Sequence, residues 1–336
     1  MFSRFIYRWL GVFLKRFDRR KTASKILLKD LFSYGIRNAQ IVNSWSILFA
    51  CDIHPNHPIT AQIDTTYVDS ILNRLNAINK LLDQPPTVYI QSKWLIHFSQ
   101  AVLPNIRRPF ILVSGDNDTA INTATLGKAL DLILHHPHLV QWYAQNKDHE
   151  SLKLTAIPIG INLYNLWIDP LQWGGGFILP TLQELQIRTI AQQAQKLEDR
   201  IPLIFCNWHF SIDRADRQTC YETIDRSLCY FQPKSLPPAN AWEEQSRYQF
   251  VLSPHGAGID CFRTWEALLL GCIPIVKKSH ISELFHDLPV IEVQSWTQLT
   301  PAFLAEAKLD LKNKVFNYDK LTMHYWRKLI NKGGDL

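Results

Sequence analysis

The sequence is short of glycine, with 13 in 336 residues, and has only two methionines. Its six cysteines, at positions 51, 206, 220, 229, 261 and 272, include no pair spaced as CxxC. That spacing signals neither a zinc site nor a redox motif, and scattered thiols in so long a chain suit a reducing compartment. In the first segment the longest uncharged run, Trp9–Leu14, falls far short of the ~20 apolar residues that span a bilayer. Collagen, a disulfide scaffold, a coiled coil and a multi-pass membrane protein are thereby excluded. With 46% hydrophobic and 20% charged residues, the chain instead has ample material for large α/β cores.

The net charge of +6 belongs to one end. Residues 1–29 hold nine Lys or Arg against the single acid Asp18, and the remainder has 27 basic and 29 acidic residues. A nearly neutral body gives no electrostatic footprint for nucleic acid, so no nucleic-acid partner is expected. In the first segment Phe2, Phe5, Ile6, Trp9, Leu10, Phe13, Leu14 and Phe17 repeat at helical spacing, ringed by Arg4, Arg8, Lys15, Arg16 and Arg19. An aromatic face with a basic rim fits the headgroup region of an anionic membrane. The alternative is a helix docked on the protein's own body. No small-residue cleavage site follows it. The expectation is a cytoplasmic protein held peripherally at the inner membrane face through residues 1–21.

From about residue 44, short β-type runs alternate with helical stretches. Trp45–Ala50, Thr87–Gln91, Phe110–Ser114, Val140–Ala144 and Leu154–Ile159 read as strands, with helices at Tyr67–Leu82 and Ile121–His135. After a looser stretch at 162–179 and a polar helix at Thr181–Lys196, the alternation restarts. Strands are expected at Leu203–Cys206, Leu228–Phe231, Tyr248–Leu252, Ile273–Val276 and Val290–Val293. Helices are expected at Arg214–Asp225, Ala239–Arg247, Asp260–Leu270, Thr297–Leu311 and Asp319–Asn331. Such repetition predicts parallel sheets flanked by helices, in two Rossmann-like domains facing across a cleft. The boundaries expected are a basic segment at 1–29, a first domain at 30–165, a linker and helix at 166–199, and a second domain at 200–336.

The most informative stretch is 250–276, FVLSPHGAGIDCFRTWEALLLGCIPIV. It reads as strand, tight loop, helix, turn and strand. In the loop Ser253-Pro254-His255-Gly256-Ala257-Gly258, two glycines permit close backbone approach to a ligand, though a tight turn without a ligand explains them equally well. Asp260 is expected to cap the following helix, whose first turn would offer free N–H groups to a phosphate. Arg263 would add a bidentate donor, and Glu266, on the same face, would accept from ribose hydroxyls. Asn207, Trp208 and His209 leave a strand at its carboxyl end, where ligand contacts are expected, and Arg214 and Arg217 follow. Each of these also has a plain reading as packing or surface. Nicotinamide dinucleotide binding is disfavoured, since Cys261 stands at the third glycine position and the next strand ends in Lys277-Lys278 rather than an acid. His135, His136 and His138 read as a helix end rather than a metal site.

The runs Ser253–Gly256, Gly258–Asp260, Arg263–Leu268 and Gly271–Val276 resemble the signature of exostosin-like glycosyltransferases. Leu154–Ile161 is similar to the strand that closes the amino-terminal domain of that family. Phe205–Phe210, through Arg217, is similar to the opening strand and Arg-bearing loop of its nucleotide-binding domain. The resemblance is strongest over 200–296, and Ala257 stands where the family often has Asn. It implies a GT-B fold, with the nucleotide-sugar donor (UDP-linked by expectation) held by the second domain and no essential metal or other cofactor. The acceptor, a glycan or lipid-linked sugar of envelope polysaccharide synthesis, would lie on the first domain. Asn207, His209, Arg214, Arg217, Ser253, His255, Gly256, Ala257, Gly258, Arg263 and Glu266 are the implied donor-binding residues. Asp116-Asn117-Asp118 could be a metal motif, a catalytic or acceptor-side loop, or a simple turn. A direct-displacement transfer needs a base, for which Asp116 is the first choice, with Asp118 and His97 behind it. The competing expectation is a non-catalytic glycan-binding or scaffold module of an envelope assembly complex.

Overall fold

The computed structural model describes residues 22–55, 65–78, 82–168, 176–209 and 216–331. Residues 1–21 of the basic segment, and Arg214, lie outside the described residues. The chain builds two parallel sheets. In the first, β1 (Thr87–Gln91), β2 (Phe110–Gly115), β3 (Leu139–Ala144) and β4 (Leu154–Ala156) lie side by side in chain order. Every residue of β1 and β2 is buried, as expected for strands covered by helices on both faces. The second sheet contains β5 (Ile201–Cys206), β6 (Cys229–Phe231), β7 (Tyr248–Leu252), β8 (Ile273–Lys277) and β9 (Ile291–Val293). Its spatial order is β6-β5-β7-β8-β9, all parallel. The chain moves to one side of β5 for β6 and to the other for β7, so the order reverses between β5 and β7. In parallel sheets that reversal leaves a crevice at the carboxyl ends of the two strands, which is where ligands bind.

The helices, in chain order, are α1 (Thr22–Arg37), α2 (Ser44–Ala50), α3 (Thr65–Ile78), α4 (Leu95–Ala101), α5 (Thr123–Leu126) and α6 (Lys128–Leu134). They continue with α7 (Asn165–Ile168), α8 (Pro180–Gln193), α9 (Asp216–Thr223), α10 (Pro238–Gln245), α11 (Phe262–Leu269), α12 (Pro301–Lys312) and α13 (Met323–Asn331). Three sequence expectations are corrected. Trp45–Ala50 is helix rather than strand, because Asn43 caps it by accepting from the Ser46 N–H at 2.9 Å. The helix expected over Ile121–His135 is two pieces, broken at Gly127, whose φ of 55° leaves the helical region. The strand expected over Leu154–Ile159 stops at Ala156. Beyond it Gly160, at φ 66°, lies against Val42, and an added Cβ there would stand 2.0 Å from the Val42 carbonyl oxygen. At the end of α6, His135 is the cap, and its ring bonds the Asp131 carbonyl.

The two sheets are not separate bodies. One apolar core runs from Tyr89, Val113 and Tyr143 of the first through Phe205 and Val251 of the second to Trp265 on α11. The end of the chain then returns to the first sheet's side. Val42 N–H donates to the Leu321 carbonyl at 3.0 Å, and Met323 N–H to that of Gln40 at 2.8 Å. The Tyr143 hydroxyl bonds the Leu329 carbonyl from the other side, at 3.2 Å. Among the described residues no helix is long and apolar enough to cross a membrane.

Candidate functional site

The carboxyl ends of both sheets meet. Asn146, just past β3, accepts at Oδ1 from the N–H groups of Ile259 (2.8 Å) and Asp260 (3.2 Å), just past β7. Asp260 in turn accepts from Ile159 N–H at 2.7 Å. Lys147, which is buried, pairs with Glu283 at 2.9 Å, and His280 with Asp148 at 2.8 Å. The residues on either side of this seam are those that follow β2, β5 and β7.

On the second-sheet side two guanidinium groups converge. Arg217, on the first turn of α9, is buried; its Nη1 donates to the His209 carbonyl at 2.9 Å, and it also bonds Cys261. Arg263, on the first turn of α11, donates from Nε to Asn207 Oδ1 at 2.6 Å and lies over the Trp208 ring at 5.9 Å. Burial and the charge of Arg263 lower the pKa of Arg217. Burial, followed by both guanidiniums, lowers that of the His209 imidazole. Arg217 Nε and Arg263 Nη1 are buried with no hydrogen-bond partner among the described residues. No carboxylate is ion-paired to either arginine among those residues; the nearby Asp216 instead accepts from His255 N–H (2.9 Å), Trp296 Nε1 (3.0 Å) and Lys277 (3.4 Å). A buried and a half-buried like charge, each with a buried spare donor, are costly unless an anion joins them.

The glycine loop does something other than expected. Ser253 N–H donates to the Ile275 carbonyl, His255 N–H to Asp216 and Gly256 N–H to the Gly258 carbonyl. The amides of Ile259 and Asp260 go to Asn146. Most of the loop's donors are therefore used within the protein. The glycines make room for side chains: a Cβ at Gly256 would stand 2.8 Å from Arg217 Nη2, and one at Gly258 2.6 Å from Asn146 Oδ1. The N-cap of α11 is Cys261, with no side-chain cap bond, so the expected capping by Asp260 is corrected. The Asp260 carboxylate bonds Ile159 N–H and the Trp265 indole, and burial pushes its pKa up to about 7. The Ser253 hydroxyl faces the buried Thr264 hydroxyl at 2.8 Å. Glu266 accepts from Trp242, and burial raises its pKa. Ala257 is half-buried beside Gly258.

On the first-sheet side Asp116 follows β2 directly, with φ 55°. It is held by Trp45 Nε1 to Oδ1 and Gln91 Nε2 to Oδ2, both at 2.9 Å, and its own N–H donates to Gln145 Oε1 at 2.8 Å. Burial pushes its pKa up to about 6 against these donors, with the neighbouring Asp118 adding to the rise. A carboxylate poised there exchanges a proton readily near neutral pH. Trp45 stacks on Tyr164 at 4.4 Å, and Tyr164 meets Phe262 edge-on at 6.3 Å, so an aromatic wall runs from Asp116 to the start of α11. The Gln91 Oε1 and Tyr89 hydroxyl are buried with no partner among the described residues. Asp118 is exposed on the same loop. His97 is elsewhere, on α4, paired with Asp69 at 2.8 Å. Among the described residues no three His, Cys, Asp or Glu side chains cluster as a cation site.

Sequence reasoning passed over Trp45, Gln91, Gln145, Asn146, Tyr164 and Asp216. Only Asn146 carried a local signal, since Asn tolerates the positive φ (53°) that it adopts.

No family model matches the chain, and no curated protein does. Among solved structures it is similar to α,α-trehalose-6-phosphate synthase from Burkholderia multivorans, at 9% identity and a TM-score of 0.35, covering 91% of this chain and 80% of that one. It is also similar to the UDP-forming α,α-trehalose-phosphate synthase from Burkholderia xenovorans in complex with glucose-6-phosphate, at 11% identity and a TM-score of 0.34, covering 90% and 82%. The corresponding Burkholderia vietnamiensis enzyme gives 9%, 0.34, 91% and 79%. Values this low carry no functional inference, which rests below on the chain's own side chains.

Proposed function

We propose that the chain is a GT-B glycosyltransferase of exostosin-like type. It would move a sugar from a nucleoside diphosphate, UDP by first expectation, to a glycan or lipid-linked acceptor. One observation carries the proposal: Arg217 and Arg263 present buried, unspent N–H donors at the reversal point of the second sheet, with no carboxylate ion-paired to them among the described residues. That is the arrangement a diphosphate satisfies, since planar guanidiniums match its oxygens and its charge offsets theirs. The resemblance of 253–276 to the exostosin-like signature supports the same choice of ligand.

In a direct displacement, the Asp116 carboxylate takes the proton of the acceptor hydroxyl. The acceptor oxygen bonds the anomeric carbon, and the bond from that carbon to the diphosphate breaks with its electron pair staying on the diphosphate. Arg217 and Arg263 meet the charge that develops there; fixed donors of this kind stabilise a transition state without reorganising. Gln91 Oε1 and the Tyr89 hydroxyl would accept from and orient the acceptor. Glu266 would hold the ribose, and His209, His255 and Asn207 would line the donor side. The aromatic wall of Trp45, Tyr164 and Phe262 would exclude water. Residues 1–21 would hold the enzyme on the inner face of an anionic membrane, near envelope polysaccharide synthesis.

Isothermal titration with UDP, GDP and CMP tests the proposal. A nucleoside diphosphate should bind and CMP much more weakly. Binding by none of them to the folded protein refutes it, and carbohydrate binding without nucleotide binding favours a glycan-binding module. Deleting residues 1–21 should leave nucleotide binding intact and abolish sedimentation with phosphatidylglycerol liposomes; retained sedimentation refutes the membrane assignment.

A further inference from the structure

Asn146 is 2% exposed and sits one residue from Gln145, which holds the Asp116 N–H. Its Oδ1 accepts from two consecutive amides, Ile259 and Asp260, of the second sheet's loop. Its Nδ2 donates to the Asn117 carbonyl at 3.1 Å, on the loop that carries Asp116. A single side chain thus ties the loop after β2 to the loop after β7. The contact is built from both sides. The backbone of Asn146 is left-handed, at φ 53°, and position 258 is glycine where any Cβ would run into the Asn146 amide. No other residue supplies the same geometry readily. Gln is a methylene too long for the space beside Gly258, Ser has one polar atom, and Asp has no donor for the Asn117 carbonyl.

We propose that Asn146 is a positioning residue that sets the register between the loop bearing Asp116 and the loop leading to Arg263, so that base and donor are held for one displacement. The catalytic part rests on the function proposed above; the physical coupling of the two loops does not. Asn146 touches neither the proton nor the diphosphate. Its loss should therefore spare nucleotide affinity and strike turnover, because an error of about an ångström in the placement of reacting groups costs on the order of a hundredfold.

The test uses Asn146→Gly, which keeps the left-handed backbone and removes the amide, and Gly258→Ala, which keeps the amide and displaces it. Three quantities are measured on the full chain: UDP affinity, UDP release from the best of UDP-glucose, UDP-galactose and UDP-N-acetylglucosamine with water as acceptor, and amide exchange over 116–118 and 256–261. In both variants UDP affinity should stay within about threefold while kcat falls at least tenfold. Exchange should quicken in both segments. Unchanged exchange at 116–118 in folded Asn146→Gly overturns the coupling, whatever the protein's activity. Faster exchange with an unaltered kcat overturns the catalytic role. If Asn146→Gly fails to fold, Gly258→Ala is read by the same criteria, and loss of UDP affinity equal to the loss of kcat refutes positioning. A wild-type chain that binds no nucleoside diphosphate sinks the proposed function, and the exchange experiment still decides the coupling.

Discussion

Replacing Arg263 by Ala removes one of the two guanidiniums that face each other beside Trp208. Its Nη1 is buried without a partner among the described residues, while Nε bonds Asn207. A hydrogen bond to a charged group contributes about 1.5–3 kcal/mol, so UDP should bind about 10- to 150-fold more weakly. The ligand-free protein should respond differently. The change deletes the Asn207 bond and some contact with Trp208, together worth about 2–4 kcal/mol. It also removes a positive charge that opposes Arg217, together with an unsatisfied buried donor, which offsets that loss. The unfolding midpoint without ligand should therefore stay within a few degrees of wild type, and the extra stabilisation by saturating UDP should shrink. Arg263→Lys should fall between, since an ammonium keeps the charge but not the planar fork. Titration calorimetry and thermal unfolding with and without UDP measure both sides. UDP affinity within threefold of wild type, beside a midpoint lowered by many degrees, would show that Arg263 serves packing and would refute the anion site.

The remaining expectations concern the first sheet and the seam. Turnover should fall as pH drops through about 6, where Asp116 gains its proton, and Asp116→Asn should lower kcat by about 100-fold or more and abolish that limb; a full acid limb in the variant refutes Asp116 as base. Because its folded pKa lies above the ordinary carboxylate range, the native state binds this proton more tightly than the unfolded chain. The stabilisation due to its neutral form is complete below about pH 4 and lost as pH rises through about 6, which urea midpoints across that window would reveal. Glu283→Gln leaves buried Lys147 with Glu150, at 3.7 Å, as its remaining carboxylate partner among the described residues. It should cost about 1–3 kcal/mol, less than a fully buried pair because Glu283 is 37% exposed. Lys147→Met in the same chain should restore most of the urea midpoint; no loss in the single variant would mean that the pair is idle.

The sheets were legible because their strands are dense apolar runs broken by helical stretches, as at Phe110–Ser114 and Tyr248–Leu252. The run Trp45–Ala50 deceived for the same reason. Six residues, five of them apolar, have no period that separates a strand from a buried helix, and only the cap at Asn43 decides it. Arg217, Arg263 and Asp116 stood out as charges beside strand ends. What fills the glycine loop did not, since Arg217 lies some forty residues upstream of it and Asn146 more than a hundred. A glycine signals that something comes close, and its own neighbourhood does not say whether that is a ligand or a side chain.

The return of the final helix to the first sheet's side has a mechanical consequence. The chain crosses between the two halves once ahead of β5 and again ahead of α13, so they are pinned at two places. A pair of blocks pinned twice swings about the line through both pins, like a door, and resists twisting. Any widening of the seam would then follow one axis, and cutting the chain before Met323 would loosen the second pin and take the bonding partners from Gln40 and Tyr143.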